Sequence, residues 1–246
     1  MSESQPSQGR DVKDIASEVL AAHLQWARRM NQVYQDYFPD PKNGQAPKIL
    51  WVGCSDSRVL ECDATMAKPG DVFVHRNIAN QFHLNDDSAL SVLAYALKEL
   101  KVQHVIVVGH THCGGAITAM KEASIPPGPT KRHHTLVDSL YKVLEYSSTP
   151  NEVHDEHSKD PSDALTRWLT PLVDHIRGLV LPADEETALD VVVEENVKLQ
   201  VKNLTQLEGF VQKSAKERPV WVHGWVYDFA TGNMKDLQVT KELGRK

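Results

Sequence analysis

The chain has 246 residues, of which 41% are hydrophobic and 24% charged, a composition typical of a folded globular protein and not of wholesale disorder. Its 27 basic and 33 acidic side chains give a formal charge of −6, which argues against nucleic acid as the main partner. No apolar run approaches the roughly 20 residues of a membrane span. The 3 cysteines are too few for a disulfide framework, which favours a reducing compartment.

The amino-terminal segment is polar and lacks the apolar core of a secretory signal, and the acidic residues after it are untypical of a mitochondrial presequence. We therefore predict a disordered tail over residues 1–10 and a cytoplasmic protein. The rest of the chain, residues 11–246, is predicted to form a single α/β domain.

A long amphipathic helix is predicted over residues 11–38, because apolar side chains from Val12 to Tyr37 recur at intervals of three and four. A helix of this length at a chain end could pack on its own domain or on a second subunit, and the residues alone leave both open. The Pro- and Gly-containing segment at residues 39–44 breaks the helical pattern.

From residue 48 onward, predicted strands and helices alternate. Short apolar runs predict buried strands at 49–52, 72–74 and 105–108. Helices are predicted at 58–67, from Asp86 or Asp87 to about Leu100, after Gly114 and Gly115, at 163–180 and at 185–213. This alternation indicates a central, mainly parallel sheet flanked by helices.

Two further segments complete the predicted organisation. Residues 219–229 and 234–239 are predicted to form a hairpin. Residues 124–163 are rich in Pro, Ser, His and Asp, which predicts a surface excursion with a short helix near 135–146. Four histidines in this excursion are predicted to be solvated: His133, His134, His154 and His157.

Polar residues follow two of the predicted strands directly. Cys54 comes after the first strand, and His110 and Cys113 come after the strand at 105–108. In open parallel sheets, ligands bind at the carboxyl ends of the strands where the strand order reverses, so neighbouring strands would bring these side chains together. Two cysteines and one histidine suit zinc, and three protein ligands with one open position are typical of a catalytic site.

Each of these residues also has an ordinary structural interpretation. His112 competes with His110 as the ligand, and we favour His110 because it follows the strand directly. Asp56 and Arg58 could form an ion pair that only stabilises a turn, although the neighbouring thiol and glycines favour a role in the site. Cys62 lies on the apolar side of a predicted short helix and is interpreted as a core thiol.

Three motifs, CSDSR at 54–58, HRNIAN at 75–80 and HTHCGG at 110–115, resemble the signature of the β-class carbonic anhydrases. The resemblance covers about residues 45–120 closely and the remaining architecture loosely. It implies an α/β fold and assembly into homodimers or homotetramers. The first helix would then cross to the partner subunit.

The resemblance also implies the site and its cofactor. One zinc ion per chain would be held by Cys54, His110 and Cys113, with the backbone of Gly114 and Gly115 nearby. The implied reaction is the reversible hydration of carbon dioxide to bicarbonate and a proton, with a zinc-bound hydroxide as the nucleophile.

Asp56 and Arg58 would form a dyad beside the metal. Arg58 would hold Asp56 ionised, so that Asp56 orients the hydroxide. Alternatively, Asp56 swings onto the metal as a fourth ligand and closes the site. Neither the proton shuttle nor the choice between dimer and tetramer is apparent from the residues.

Three rival functions share the same motifs. A related enzyme could hydrolyse carbon disulfide or carbonyl sulfide, and a non-enzymatic module could bind bicarbonate or store zinc. A cysteine-nucleophile enzyme could pair Cys54 with His110, but Cys113 would then have no role. The Asp56 and Arg58 pair argues against storage, which needs no oriented carboxylate.

The resemblance extends to a subgroup with a second, non-catalytic bicarbonate pocket, here assigned to Trp51, Gly53, Val59 and Arg76. A guanidinium presents paired donors to a planar oxyanion, and a glycine leaves room close to the backbone. The ordinary alternative is that Trp51 belongs to the core and Arg76 forms a structural ion pair.

Overall fold

In a computed structural model, the described residues are 12–34, 37–124, 161–216 and 218–244. The tail predicted at residues 1–10 lies outside them, as do residues 125–160 of the predicted excursion with its four histidines.

The described part of the chain alternates strands and helices, as predicted. The strands are β1 (Ile49–Cys54), β2 (Val72–Asn77), β3 (His104–His110), β4 (Val220–Asp228), β5 (Asn233–Asp236) and β6 (Lys241–Leu243). The helices are α1 (Val12–Val33), α2 (Glu61–Thr65), α3 (Asp87–Lys98), α4 (Gly114–Ser124), α5 (Pro161–Arg177), α6 (Glu185–Thr205) and α7 (Glu208–Ala215). Strands β1 and β3 are almost wholly buried, which explains their continuous apolar sequence.

One sheet contains all the described strands, in the order β2-β1-β3-β4-β5, and β6 pairs with the other half of β4. The first four strands are parallel, whereas β5 and β6 run antiparallel to β4. The predicted mainly parallel sheet and the predicted hairpin are therefore confirmed. The strand order reverses between β1 and β3, so the carboxyl ends of these two strands border the crevice in which such sheets bind ligands.

The helix bounds differ most from the prediction at three places, and α5 also begins two residues and ends three residues earlier than predicted. Helix α1 ends at Val33, five residues early. Helix α2 begins only at Glu61, because residues 56–58 form a turn in which the backbone N–H of Arg58 bonds to the Asp56 carboxylate at 3.0 Å. The helix predicted over 185–213 is two helices, α6 and α7, because backbone bonding changes register at Gln206.

The two faces of the sheet are covered differently. Helices α3 to α7 pack their apolar side chains on one face and form the main core. On the other face, α2 covers a smaller cluster around Trp51, Ile106 and Val108, and the flanking apolar side chains there are only half-buried. None of the described helices combines the length and the apolar character that crossing a bilayer requires.

Candidate metal centre

Cys54, His110 and Cys113 meet at the carboxyl ends of β1 and β3. Cys54 ends β1, His110 ends β3, and Cys113 directly precedes α4. Their ligand atoms all lie within 4.8 Å of one another, and the two sulfurs are 4.0 Å apart. All three side chains are buried. Within the described ranges, this is the one group of three or more histidine, cysteine or acidic side chains that could hold a metal ion.

The hydrogen bonding of His110 leaves one ring nitrogen available. Its Nδ1 lies 2.8 Å from the carbonyl oxygen of Thr111, so Nδ1 carries the proton and donates it. The buried Nε2 has no hydrogen-bond partner among the described residues. A buried nitrogen without a partner is costly, and histidines that bind metals commonly donate their other N–H to a carbonyl. His112 lies outside the cluster, which agrees with our preference for His110.

The donor set fits a zinc ion. In a tetrahedral site with Zn–S bonds of about 2.3 Å, two sulfurs lie about 3.8 Å apart, close to the separation of Cys54 and Cys113. The pKa of the Cys54 thiol is lowered, mainly because the Cys113 thiol donates a hydrogen bond to it, and the same bond raises the pKa of Cys113. The nearby backbone amides of Asp56 and Ala79 lower the pKa of Cys54 further. These donors stabilise a thiolate, the form of cysteine that binds metals.

Asp56 and Arg58 form a two-point ion pair beside this cluster. Arg58 Nε donates to Asp56 Oδ1 at 2.9 Å, and Arg58 Nη2 donates to Asp56 Oδ2 at 2.7 Å. These bonds hold the pKa of the Asp56 carboxyl well below its usual range. Because Asp56 Oδ2 is also 3.8 Å from His110 Nε2, an ionised carboxylate faces the cluster.

Sequence reasoning missed Phe229, whose ring lies 4.1 Å from the guanidinium carbon of Arg58. The negative face of an aromatic ring attracts a guanidinium, so Phe229 helps to hold the Arg58 side chain that bonds to Asp56. The only signal in the sequence is that Phe229 follows β4, the strand that pairs with β3. An apolar residue at the end of an apolar strand carries no pattern that would single it out.

The four residues assigned to the bicarbonate pocket lie together behind the 54–58 turn. The indole of Trp51 packs against Gly53 so closely that a Cβ there would overlap its Nε1. Val59 belongs to the same apolar cluster as Trp51. Arg76 Nε donates to the carbonyl of Cys54 at 2.9 Å, and its Nη2 donates to the carbonyl of Asp56 at 2.7 Å. Arg76 thus braces the backbone of the turn that carries the dyad.

The remaining predicted positions, Gly114, Gly115 and Cys62, differ in how tightly they are packed. A Cβ added to Gly115 would lie 2.8 Å from the Cβ of Ala79, whereas one added to Gly114 would meet nothing within 4 Å. Cys62 lies on α2 and is only partly buried, so its assignment as a core thiol is wrong. Of the side chains of α2, Ala64 packs on the smaller cluster and Cys62 does not belong to it.

Comparisons with known proteins agree with this geometry. A family model described as carbonic anhydrase matches residues 49–234. A carbonic anhydrase of Emericella nidulans is 29% identical over 236 residues, which cover 94% of this chain and 86% of that protein. A tetrameric β-carbonic anhydrase of Sordaria macrospora superimposes with a TM-score of 0.68 at 28% identity, covering 93% of this chain and 99% of that one. A Coccomyxa β-carbonic anhydrase gives a TM-score of 0.63 at 30% identity, with coverages of 93% and 88%.

The matched segment thus includes all three motifs and most of the sheet, from the start of β1 to within β5. The resemblance predicted from the motifs is confirmed, together with its implied activity class, a lyase. This chain belongs to the β-class carbonic anhydrase family.

Proposed function

We propose that this protein catalyses the reversible hydration of carbon dioxide to bicarbonate and a proton, with one zinc ion per chain held by Cys54, His110 and Cys113. The observation that carries the proposal is the buried Nε2 of His110, which has no hydrogen-bond partner in the described part of the chain, on a histidine whose ligand atom lies within 4.8 Å of both cysteine sulfurs. When bound, zinc lowers the pKa of water and so supplies a nucleophile near neutral pH.

We assign the orientation of the attacking oxygen to Asp56. An ionised carboxylate accepts hydrogen bonds and cannot donate them, so Asp56 determines which way that oxygen directs its lone pair. Arg58 keeps Asp56 ionised and fixes the plane of the carboxylate through two bonds. In a second arrangement, Asp56 leaves Arg58, becomes the fourth ligand and closes the site.

A stopped-flow assay of carbon dioxide hydration, combined with elemental analysis of the same sample, tests this function. We expect one zinc per chain, loss of activity on chelation and recovery on adding zinc back. A storage module would contain zinc without hydration activity. A cysteine-nucleophile enzyme would work without zinc. A carbon disulfide or carbonyl sulfide hydrolase would turn over those substrates in preference to carbon dioxide.

We further propose that bicarbonate binds at Arg76, in a pocket formed with Trp51, Gly53 and Val59. The contacts of Arg76 support a regulatory role, because its donors now hold the carbonyls of Cys54 and Asp56. A bicarbonate that takes these donors would release the backbone of Asp56. The pocket would therefore be coupled to the dyad through the turn itself.

We also propose that α1 packs on a partner subunit, in a homodimer or homotetramer of single-domain chains. Its apolar side chains are not buried by its own chain: Val19 is 63% exposed, Leu20 61% and Leu24 50%. A helix with an apolar stripe gains stability only when another surface covers that stripe. The tetrameric relative from Sordaria macrospora is consistent with such an assembly.

A further inference from the structure

The second half of the HRNIAN motif forms a strained turn that the proposed reaction does not use. Strand β2 ends at Asn77, and a single 3-10 turn follows over Ile78–Asn80. Ala79 and Asn80 both have a left-handed backbone, with φ values of 61° and 47°. Residues other than glycine adopt this conformation rarely, and it persists only when the surrounding structure enforces it.

This turn touches the candidate metal centre directly. Asn77, from which the turn starts, pairs in register with Cys54, and its carbonyl accepts the N–H of Ser55 at 2.8 Å. On its other side, Ala79 packs against the start of α4, where Gly115 leaves no room for a side chain. The turn is therefore attached both to the end of β1, which carries Cys54, and to the helix that follows Cys113. A shift of this turn would move these two elements relative to each other.

Three buried amide side chains, Gln81, Asn196 and Gln200, fix the turn and are here called the amide network. Gln81 Nε2 and Asn196 Nδ2 both donate to the carbonyl of Ala79, at 2.7 and 3.0 Å. Gln81 Nε2 also donates to Asn196 Oδ1 at 2.7 Å.

Gln200 closes the amide network. Its Nε2 donates to Gln81 Oε1 at 3.1 Å and to Asn196 Oδ1 at 2.9 Å. The three side chains are at most 2% exposed. Because buried amides are costly when unsatisfied, each member holds the others in place.

We infer that the amide network is a positioning device for the metal centre, with Gln81 and Asn196 holding the Ala79 carbonyl so that the turn fixes the end of β1 against the start of α4. The inference rests on the proposed function, in which Cys54 is a zinc ligand. The separation of the Cys54 and Cys113 sulfurs, 4.0 Å, then depends on how firmly this turn is held. Replacement of such supporting partners typically weakens metal binding about 10–100-fold.

Helix α6 offers a matched control at Asn203. Asn203 lies seven positions after Asn196, and its Nδ2 donates to a backbone carbonyl in the same segment, that of Phe82, at 3.1 Å. Asn203 is half-buried and does not bond to Ala79. Its Nδ2 also donates to Gln200 Oε1 at 3.2 Å, but that oxygen keeps a second donor, the N–H of Phe82 at 2.9 Å, when Asn203 is replaced. If these amides serve only to attach α6 to the sheet, Asn196→Leu and Asn203→Leu should have the same kind of effect.

The test uses the full chain and two readouts besides activity. The zinc dissociation constant is measured by competition with a chelator, and the thiolate-to-metal absorption is recorded after substitution with cobalt. We expect Asn196→Leu to weaken zinc binding roughly 10-fold or more and to change the cobalt spectrum. Asn203→Leu should lower the melting temperature while keeping the wild-type zinc affinity and spectrum.

Gln81→Met keeps the test decisive if Asn196→Leu does not fold, because it removes one donor to Ala79 and leaves Asn196 in place. Zinc affinity and cobalt spectra equal to those of Asn203→Leu would overturn the inference. A wild-type chain that binds no zinc would overturn the proposed function as well, whereas unchanged variants of a zinc-binding chain would overturn the inference alone.

Discussion

The two turns that bring the candidate ligands together are held in different ways. The turn after β1, residues 54–58, is the dyad turn, and side chains hold it: Asp56 with Arg58, and Arg76 against two of its carbonyls. The turn after β3, residues 110–115, is the ligand turn; it has no charged pair among its described contacts, and Thr111 attaches it to the end of β4, with its Oγ1 donating to Asp228 Oδ1 at 3.3 Å. The N–H of Thr111 bonds to the carbonyl of Tyr227 at 3.0 Å.

Exposure separates the two turns further. The Arg58 side chain is 51% exposed, whereas that of His110 is fully buried. The dyad turn can therefore rearrange its charged pair in contact with solvent, but the ligand turn cannot move without disturbing the core. We expect changes in the ligand turn to affect zinc and stability, and changes in the dyad pair to affect rate and regulation.

The largest effect is expected from the three ligands. Cys54→Ala, His110→Ala and Cys113→Ala should each lose zinc and hydration activity, because a site with three protein ligands cannot spare one. Elemental analysis measures the loss. Cys62→Ala is the matched control and should keep its zinc, since Cys62 lies outside the cluster. Full zinc occupancy in all three ligand variants would refute the site.

Asp56→Asn should keep zinc but lower the hydration rate about 100-fold, the usual scale for a positioned group of this kind. An amide cannot offer the two accepting oxygens that Arg58 and the attacking oxygen require. Ser57→Ala, at an exposed position of the same turn, is the control for local disturbance. An Asp56→Asn rate equal to that of wild type would reduce Asp56 to a structural role.

The hydration rate should rise with pH and be weak at or below about pH 7, the pKa of water on a tris-histidine zinc. Two thiolates neutralise more of the metal charge than histidines do, so water is acidified less. Protonation of Asp56 is not the cause, because its lowered pKa keeps it ionised throughout this range. Stopped-flow rates between about pH 6.5 and pH 9 measure the profile. A flat profile would contradict both explanations of the pH dependence: the weaker acidification of water by a zinc ion with two thiolate ligands, and closure of the site by Asp56 at lower pH.

Gly115→Ala tests the packing of the ligand turn. The added Cβ would lie 2.8 Å from that of Ala79, and overpacking of this kind costs about 1–3 kcal/mol in the free energy of unfolding. Gly114→Ala is the neighbouring control, with open space around its Cβ, and should be neutral or slightly stabilising. Denaturant unfolding of both variants gives the comparison, and equal stability would show that the ligand turn can adjust.

The smallest effect is expected from Arg76→Ala, which should weaken inhibition by bicarbonate about 5-fold, at the low end of allosteric couplings. The ratio of rates with and without bicarbonate is the measurement, since a purely structural defect would lower both rates alike. Glu61→Gln is the companion variant, because Glu61 Oε2 lies 3.7 Å from Arg76 Nη1. Glu61 competes with bicarbonate for the Arg76 guanidinium, so removing its charge should preserve or strengthen inhibition by bicarbonate. An unchanged ratio in Arg76→Ala would exclude the pocket.

Much of the candidate site follows from local patterns in the sequence. Cys54 and His110 each end a short apolar run, and such runs in alternation with helices indicate parallel strands whose carboxyl ends share one edge. The order of the three motifs was enough to identify the family. These features depend on residues close together in the chain, where periodicity and spacing carry the information.

Only the tertiary structure decided which distant residues support the site. Phe229 stacks on Arg58, Arg76 braces the carbonyls of Cys54 and Asp56, and Gln81 bonds to Asn196 across 115 positions of sequence. In each of these contacts, the sequence around one residue contains no pattern that would identify its partner. Their meeting depends on strand order, on register and on how α6 lies over the sheet, and these are set by the packing of the whole core rather than by any local preference.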